Sequence, residues 1–220
     1  MIQPTLQPGR LITFEGGEGA GKTTQVQRLA ARLNEWGIPH LCTREPGGTA
    51  LGMTIREMLL HGDPQRSSWT EVFLFAADRA EHVHSVIQPA LAAGQIVLCD
   101  RFVDSTLAYQ GYGRGLPLEH LLLLNHMATQ GLQPHLTLWF DLAPTLGLAR
   151  ARQRCTMDGI ETSDLAFHQR LYDGFQTLAK HEPQRWRRID AQGSPETVAE
   201  AVWQAVAPLL SNQNTPDPVV

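Results

Sequence analysis

Cysteine is scarce in this chain of 220 residues: Cys42, Cys99 and Cys155 form an odd set with no framework spacing. A disulfide-stapled secreted scaffold is excluded, and a cytoplasmic location is expected. Cys42 and Cys99 lie in apolar, strand-like runs and read as inert core thiols. No apolar stretch approaches the roughly 20 residues needed to span a bilayer. No basic region leading into an apolar run opens the sequence, so no signal peptide is expected. A basic excess is missing too. The formal net charge is −4, which excludes a broad positive field for nucleic acid and leaves room only for a local basic cluster. No internal repeat occurs, and no linker is long enough to divide the chain. The composition is that of a globular protein, 42% hydrophobic and 18% charged, at a length suited to one α/β domain.

The most informative stretch is GGEGAGKTT, residues 16–24. Gly16-x-x-x-x-Gly21-Lys22-Thr23 fits the phosphate-binding loop pattern in full. Residues 11–14 before it read as a short buried strand. Residues 24–36 after it read as a helix, with Val26, Leu29, Ala30 and Leu33 at helical spacing. Strand, glycine turn and helix N-terminus together make an anion site. Its backbone N–H groups converge, and the helix dipole adds about half a positive charge. Gly16, Gly17, Gly19 and Gly21 let the backbone close around phosphates, with Glu18 and Ala20 between them. Lys22 is expected to reach the β- and γ-phosphates, and the Thr23 hydroxyl to hold Mg²⁺. Residues 16–24, ending in Thr24, are therefore the candidate ATP-binding segment.

Residues 38–43 read as a second strand and 44–49 as a turn, where Pro46 is a candidate for a cis bond. Residues 50–60 read as a helix. Residues 68–93 read as one long helical stretch, capped at Ser67-Ser68 and Glu71, divided or kinked at Pro89 and ended by Gly94. Residues 96–99 form a continuous apolar run typical of a central parallel strand. Helices are expected at 116–130, 144–154, 163–181 and 195–210, and strands at 136–140 and 186–189. The alternation predicts an α/β fold with a parallel five-stranded sheet flanked by helices, one domain over residues 11–210. Residues 1–10 read as a flexible lead-in and 211–220 as a disordered tail. Ligands of such sheets gather at the C-terminal strand ends. The glycine loop, residues 44–49 and Asp100-Arg101 should therefore converge on one cleft.

A phosphate-binding loop does not specify an acceptor. Phe75 and Arg79 are four apart on a helix, one offering a ring for stacking, the other planar donors. Helix-spaced aromatics are more often core, and both readings stand at this point. Asp100 is placed near Mg²⁺ or its water shell, or else caps the next helix. Arg101 is placed to hold an acceptor phosphate bidentately. Thr106, Tyr109 and Gln110 offer hydroxyl and amide groups on one helical face. Arg150, Arg152 and Arg154 lead into a polar stretch. They are either a solvated helix end or part of a mobile lid, at about 150–163, that brings arginine onto a transferring phosphoryl group.

These segments resemble one family. FEGGEGAGKTTQ, TREPGGT, FLFAADRAEH, DRFVDSTLAYQGYGRG and the arginine-rich stretch are similar to those of thymidylate kinases of the bacterial type. In that type the lid rather than the P-loop carries the catalytic arginine. The resemblance spans residues 11–164. It implies a P-loop NTPase fold with a mobile lid, and phosphoryl transfer from ATP to dTMP with Mg²⁺. It also implies a homodimer with neither nucleic acid nor membrane as partner. By the same resemblance Phe75 stacks on thymine, and Arg79 bonds its O4 edge. Arg56 and Arg101 hold the dTMP phosphate, and Glu18 lies near the 3′-hydroxyl. Tyr109 crowds the 2′ position, Thr106 and Gln110 line the base pocket, and Asp190-Ala191 lies beside adenine. Lys22, Arg101, Arg150, Arg152 and Arg154 are the catalytic candidates. One departure stands out. The family's lid commonly reads Asp-Arg-Ile-Glu, where this chain has Asp158-Gly159-Ile160-Glu161. More weight therefore falls on Arg150, Arg152 and Arg154. Two rival readings are a deoxynucleoside kinase, which needs a carboxylate base near a 5′-hydroxyl, and a P-loop switch or motor ATPase coupled to a partner protein.

Overall fold

The computed structural model describes residues 9–63, 65–153 and 164–211. The expected lead-in up to residue 8, most of the expected lid, Arg154, Cys155 and the tail from residue 212 lie outside the described residues.

Five parallel strands form one sheet: β1 (Arg10–Glu15), β2 (His40–Arg44), β3 (Ile96–Asp100), β4 (Leu136–Asp141) and β5 (Trp186–Asp190). Their spatial order is β2-β3-β1-β4-β5. The apolar runs that mark β1, β3 and β4 have this cause: each is covered on both faces. Ile12, Phe14, Leu98, Leu138 and Phe140 pack toward α1 (Lys22–Glu35) and α9 (Pro195–Ser211). Leu11, Val97 and Cys99 point to the opposite face, against Phe102 and the helical stretch that holds Val83 and Ile87. Fully buried Leu, Ile or Phe side chains contribute roughly 1.5–3 kcal/mol each, which makes this double-sided burial the main source of stability. Cys42 departs from expectation. It is exposed, because β2 is an edge strand with only one neighbour, whereas Cys99 on β3 is buried.

The remaining helices are α2 (Ala50–His61), α3 (Ser68–His82), α4 (Gln88–Ala92), α5 (Val103–Thr106), α6 (Leu118–Thr129), α7 (Pro144–Arg152) and α8 (Leu165–His181). The expected division of the 68–93 stretch is present, but as a π-helical segment at Val83–Ile87 that precedes α4. Pro89 supplies no N–H and its ring crowds the carbonyl four residues back, so the bonding pattern loosens in the turn before it. A second π-helical segment, Leu107–Gly113, continues α5. The sequence pattern announces helical character there without a separate element. The widened turn leaves Thr106, Tyr109 and Gln110 lining the same cavity.

Strand register settles what shares one end of the sheet. Arg44 pairs with Asp100, and Phe14 also pairs with Asp100. The glycine loop after β1, the turn after β2 and Arg101 after β3 therefore leave the sheet side by side. The Glu45–Pro46 peptide in that turn is cis. The start of α7 closes against the glycine loop without intervening side chains. A Cβ on Gly147 would lie 2.3 Å from the Glu18 carbonyl oxygen, and one on Gly19, at φ +67, would lie 2.1 Å from the Gly147 carbonyl oxygen.

Candidate active site

Lys22 opens α1, and its ammonium folds back over the loop. It donates to the carbonyls of Gly16 (2.9 Å) and Gly17 (2.8 Å). Burial, reinforced by the nearby Arg101 charge, pulls its pKa down to about 8, while Glu18 and Asp100 work in the other direction. The Thr23 hydroxyl donates to Asp100 Oδ2 at 2.5 Å. These two oxygens come from different elements and meet at the mouth of the loop. They suit a hard cation such as Mg²⁺, which takes oxygen ligands. A cleft runs along this face, lined by Glu18, Gly19, Ala20, Gly21, Lys22, Thr23 and Thr24 on one side and by Arg44, Glu45, Arg56, Asp100 and Arg101 on the other.

Arg101 occupies an uncommon backbone position for a residue with a side chain, with φ 69. Left-handed positions of this kind concentrate at functional sites and cost about 1–3 kcal/mol. Local hydrogen bonds offset that cost. Arg101 N–H donates to Phe14 O at 3.0 Å, and Phe102 N–H donates to buried Glu15 Oε1 at 2.8 Å. The resulting turn sends the guanidinium back over the loop. There Nη2 donates to Glu18 Oε1 (2.9 Å) and Nη1 to Tyr109 Oη (2.8 Å). Tyr109 itself donates to Glu18 Oε1 at 2.5 Å. Burial disfavours the Glu18 charge, but Arg101, Lys22 and the Tyr109 hydroxyl outweigh it and hold its pKa down at about 2. Burial pushes the Tyr109 phenol well above its ordinary value, so it stays a donor.

A second, more apolar cavity opens behind Arg101. Its walls include Phe75, Leu59, Leu60, Arg79, Thr106, Tyr109 and Gln110. Phe75 is half-buried and forms part of this wall, so it is not sealed in the core. Arg79 is nearly fully buried, and most of its donors are taken within the protein. Nε donates to Glu45 Oε2 (2.8 Å), Nη1 to Thr106 Oγ1 (2.9 Å) and Asn125 Oδ1 (2.6 Å), and Nη2 to Phe102 O (3.1 Å). Of its five N–H groups one remains for a ligand among the described residues. Arg56 Nη1 donates to Pro46 O at 3.0 Å, and Arg56 lines both cavities. Glu18, Glu45 and Arg101 line both as well, so the two cavities meet at these residues.

The arginines at the end of α7 part company. Arg150 donates to Ala191 O (2.8 Å) and Gln192 O (3.1 Å). It lies in a third cavity with Gly19, Gly21, Thr24 and Pro195, on the outer flank of the glycine loop. Arg152 is exposed, and Arg154 lies outside the described residues.

A family model described as thymidylate kinase matches residues 14–202. The chain belongs to the thymidylate kinase family. Relatives include the thymidylate kinase of Synechococcus sp. (strain JA-2-3B'a(2-13)), 65% identical over 199 residues, 90% of this chain and 95% of that protein. Thymidylate kinase of Thermomicrobium roseum is 54% identical over 200 residues, again 90% of this chain and 95% of the relative. Among solved structures, thymidylate kinase from Ehrlichia chaffeensis superimposes with a TM-score of 0.77 at 34% identity, covering 91% of this chain and all of the other. The fold is thus that of a P-loop NTPase with a five-stranded parallel sheet.

Several residues of the site escape sequence reasoning. Glu45 bridges Arg79 and His82, the latter at 2.9 Å, and lines both cavities. Glu15 supports the Arg101 turn, and Glu71 binds both Gln110 and Arg114. Each is a buried carboxylate whose partners lie more than 30 residues away in sequence, and no spacing rule brings such partners together.

The low pKa of Lys22 gives a test. In the free protein the ammonium loses its proton near pH 8. A bound polyphosphate favours the charged form, so binding raises that pKa and takes up a proton. Affinity for ATP should fall above pH 8, by up to about tenfold per pH unit. Titration calorimetry at pH 8.5, in buffers of different ionisation enthalpy, should register net proton uptake. Absence of uptake would show that Lys22 does not couple to the donor phosphates.

Proposed function

We propose that this protein transfers the γ-phosphoryl group of ATP to dTMP, giving dTDP and ADP, a step toward dTTP for DNA replication. The observation that carries the reading is the junction of the two cavities. Glu18, Glu45, Arg56 and Arg101 face both the phosphate-binding loop and the apolar pocket with Phe75. A donor polyphosphate on one side and a nucleoside monophosphate on the other would bring their phosphates together there. Positioning of this kind, with fixed charge, is what phosphoryl transfer needs. A dTMP phosphate oxygen is already ionised, so it attacks the γ-phosphorus in line without a general base. The new P–O bond forms as the bond to the β,γ-bridging oxygen breaks.

In this reading residues 16–24 cradle ATP, and Lys22 moves from the loop carbonyls to the phosphates. Thr23 and Asp100 would hold Mg²⁺ directly or through water. No group of three or more His, Cys, Asp or Glu that fits a metal occurs among the described residues. Mg²⁺ keeps several waters and phosphate oxygens and needs few protein ligands. When bound, Mg²⁺ neutralises charge on the β- and γ-oxygens. Phe75 stacks on thymine, and Arg79, Thr106 and Gln110 meet its edge. Arg56 and Arg101 hold the dTMP phosphate, and Tyr109 with Glu18 faces the sugar. Arg150 serves the adenine end beside Ala191. Arg152 and Arg154 are then the candidates for the cation that meets the transferring phosphoryl group.

Release of ADP should be followed with dTMP, dUMP, dCMP, dGMP, dAMP and ribothymidine monophosphate as acceptors. The reading predicts a clear preference for dTMP and little ATP hydrolysis without an acceptor. Hydrolysis indifferent to acceptor, as in a switch ATPase, or a preference for another nucleotide would overturn it.

We also infer a homodimer. Phe73, Ala77 and Ala80 form an exposed stripe on α3, and Leu123 and Met127 stand exposed on the adjacent α6, at 61% and 66%. An apolar face of this kind across two packed helices suits a second copy of the chain. Sedimentation should show a dimer at micromolar concentration, and Phe73→Glu should yield monomer. A wild-type monomer under those conditions would refute the inference. Among the described residues no helix is long and apolar enough to cross a membrane.

A further inference from the structure

Gln110 carries an amide whose two ends look alike in shape and opposite in chemistry. Here its orientation is forced. Glu71 Oε1 lies 2.8 Å from one end of the amide, and Glu71 Oε2 accepts from Arg114 Nη2 at 2.9 Å. A carboxylate accepts and does not donate, so the Gln110 nitrogen must face Glu71. The carbonyl oxygen is then the end left for the cavity that both residues line. No described residue donates to it. Glu71 and Gln110 are both buried, at 8% and 2% exposure, so water competes little for these bonds.

The neighbouring groups are fixed in the opposite sense. Arg79 Nη1 donates to Thr106 Oγ1 at 2.9 Å, which leaves the Thr106 hydroxyl proton free to be given away. Arg79 has one N–H left. The cavity edge therefore offers two donors and one acceptor. A pyrimidine imide, with an N–H between two carbonyls, matches that set. An amino-pyrimidine sets a ring-nitrogen lone pair against the Gln110 oxygen and an amino group against a donor. Unpaired buried polar groups of this kind reject a ligand strongly.

We propose that Glu71, clamped by Arg114, is the positioning residue that sets the polarity of Gln110 and so selects an imide base over an amino-pyrimidine. The proposal rests on the acceptor-site reading above and adds to it a residue that touches no substrate. The Glu71→Gln variant keeps the side-chain shape. Arg114 can only donate, so it draws the new carbonyl to itself and turns the new amide nitrogen toward Gln110. Gln110 must then flip and present its nitrogen to the base.

The experiment compares kcat/KM for dTMP and for 5-methyl-dCMP, which share the methyl group and sugar and differ only at the edge in question. In Glu71→Gln the preference for dTMP should fall by about tenfold or more, on the scale of one buried hydrogen bond read with the wrong polarity. The KM for ATP and the melting temperature should stay near wild type. Arg114→Met, a change at a partly exposed side chain, leaves the Glu71 carboxylate free to rotate away from Gln110, which loosens the amide without reversing it and should lower the same preference by a smaller factor. It also serves if Glu71→Gln does not fold. Equal losses on both substrates, or an unchanged preference in both variants, would overturn the proposal. A wild-type enzyme that ignores dTMP would instead refute the acceptor reading, so the two failures are distinguishable.

Discussion

The backbone turn at Arg101 is the constraint on which the site depends. The residue leaves the end of β3 at φ 69, a conformation its Cβ makes unfavourable. The turn is held from both sides by β1, through Phe14 O and the Glu15 side chain. Glu15 also accepts from Ser105 Oγ at 2.5 Å, which ties the start of the next helix to the same point. With the turn in place, the guanidinium reaches Glu18 in the glycine loop and Tyr109 beyond it. Glycine loop, central strand and apolar cavity are thereby fastened at one side chain.

Charge is arranged to match that geometry. Burial, and after it the nearby Asp104 charge, push the Glu15 carboxyl above the ordinary range, while Ser105, Arg101 and the Phe102 N–H act against that rise. Glu18, with its pKa held at about 2, is the carboxylate that balances Arg101 and Lys22. The cleft is lined by Lys22, Arg44, Arg56 and Arg101 against Glu18, Glu45 and Asp100, four cations to three anions. Glu18 interacts with both Arg101 and Lys22 and so offsets their mutual repulsion. Burial works against both charges: at Lys22 burial and the nearby Arg101 charge prevail and the pKa falls, whereas at Arg101 the surrounding acidic groups outweigh burial and the pKa rises.

Much of this was legible in the sequence. The glycine loop, its lysine and its threonine are local in sequence, and the physics of a strand, a turn and a helix N-terminus places them. The five strands and their parallel sense follow from apolar runs alternating with helical periods. Even the convergence of three loops follows from parallel strands leaving one end. What stayed hidden is of a different kind. The π-helical turn at Leu107–Gly113 widens a helix by a bonding change that no side-chain period announces. The exposure of Cys42 depends on strand order, which alternation does not determine. The carboxylates Glu15, Glu45 and Glu71 each meet partners far away in sequence, and their roles exist only in the folded chain. Phe75 shows the intermediate case: its spacing fits core and cavity wall equally, and only the packing of the surrounding helices decides.

The central claim is that the Arg101 fork joins the donor and acceptor sites. The most direct test is Arg101→Lys, which keeps the charge and removes the planar pair of donors. With ATP and dTMP both saturating, kcat should fall by about 10²-fold or more. Equilibrium affinity for ATP alone should stay within about threefold of wild type, because Lys22 and the loop amides remain in place. A variant that keeps kcat within a few-fold of wild type would show that a point charge suffices, and would contradict the account.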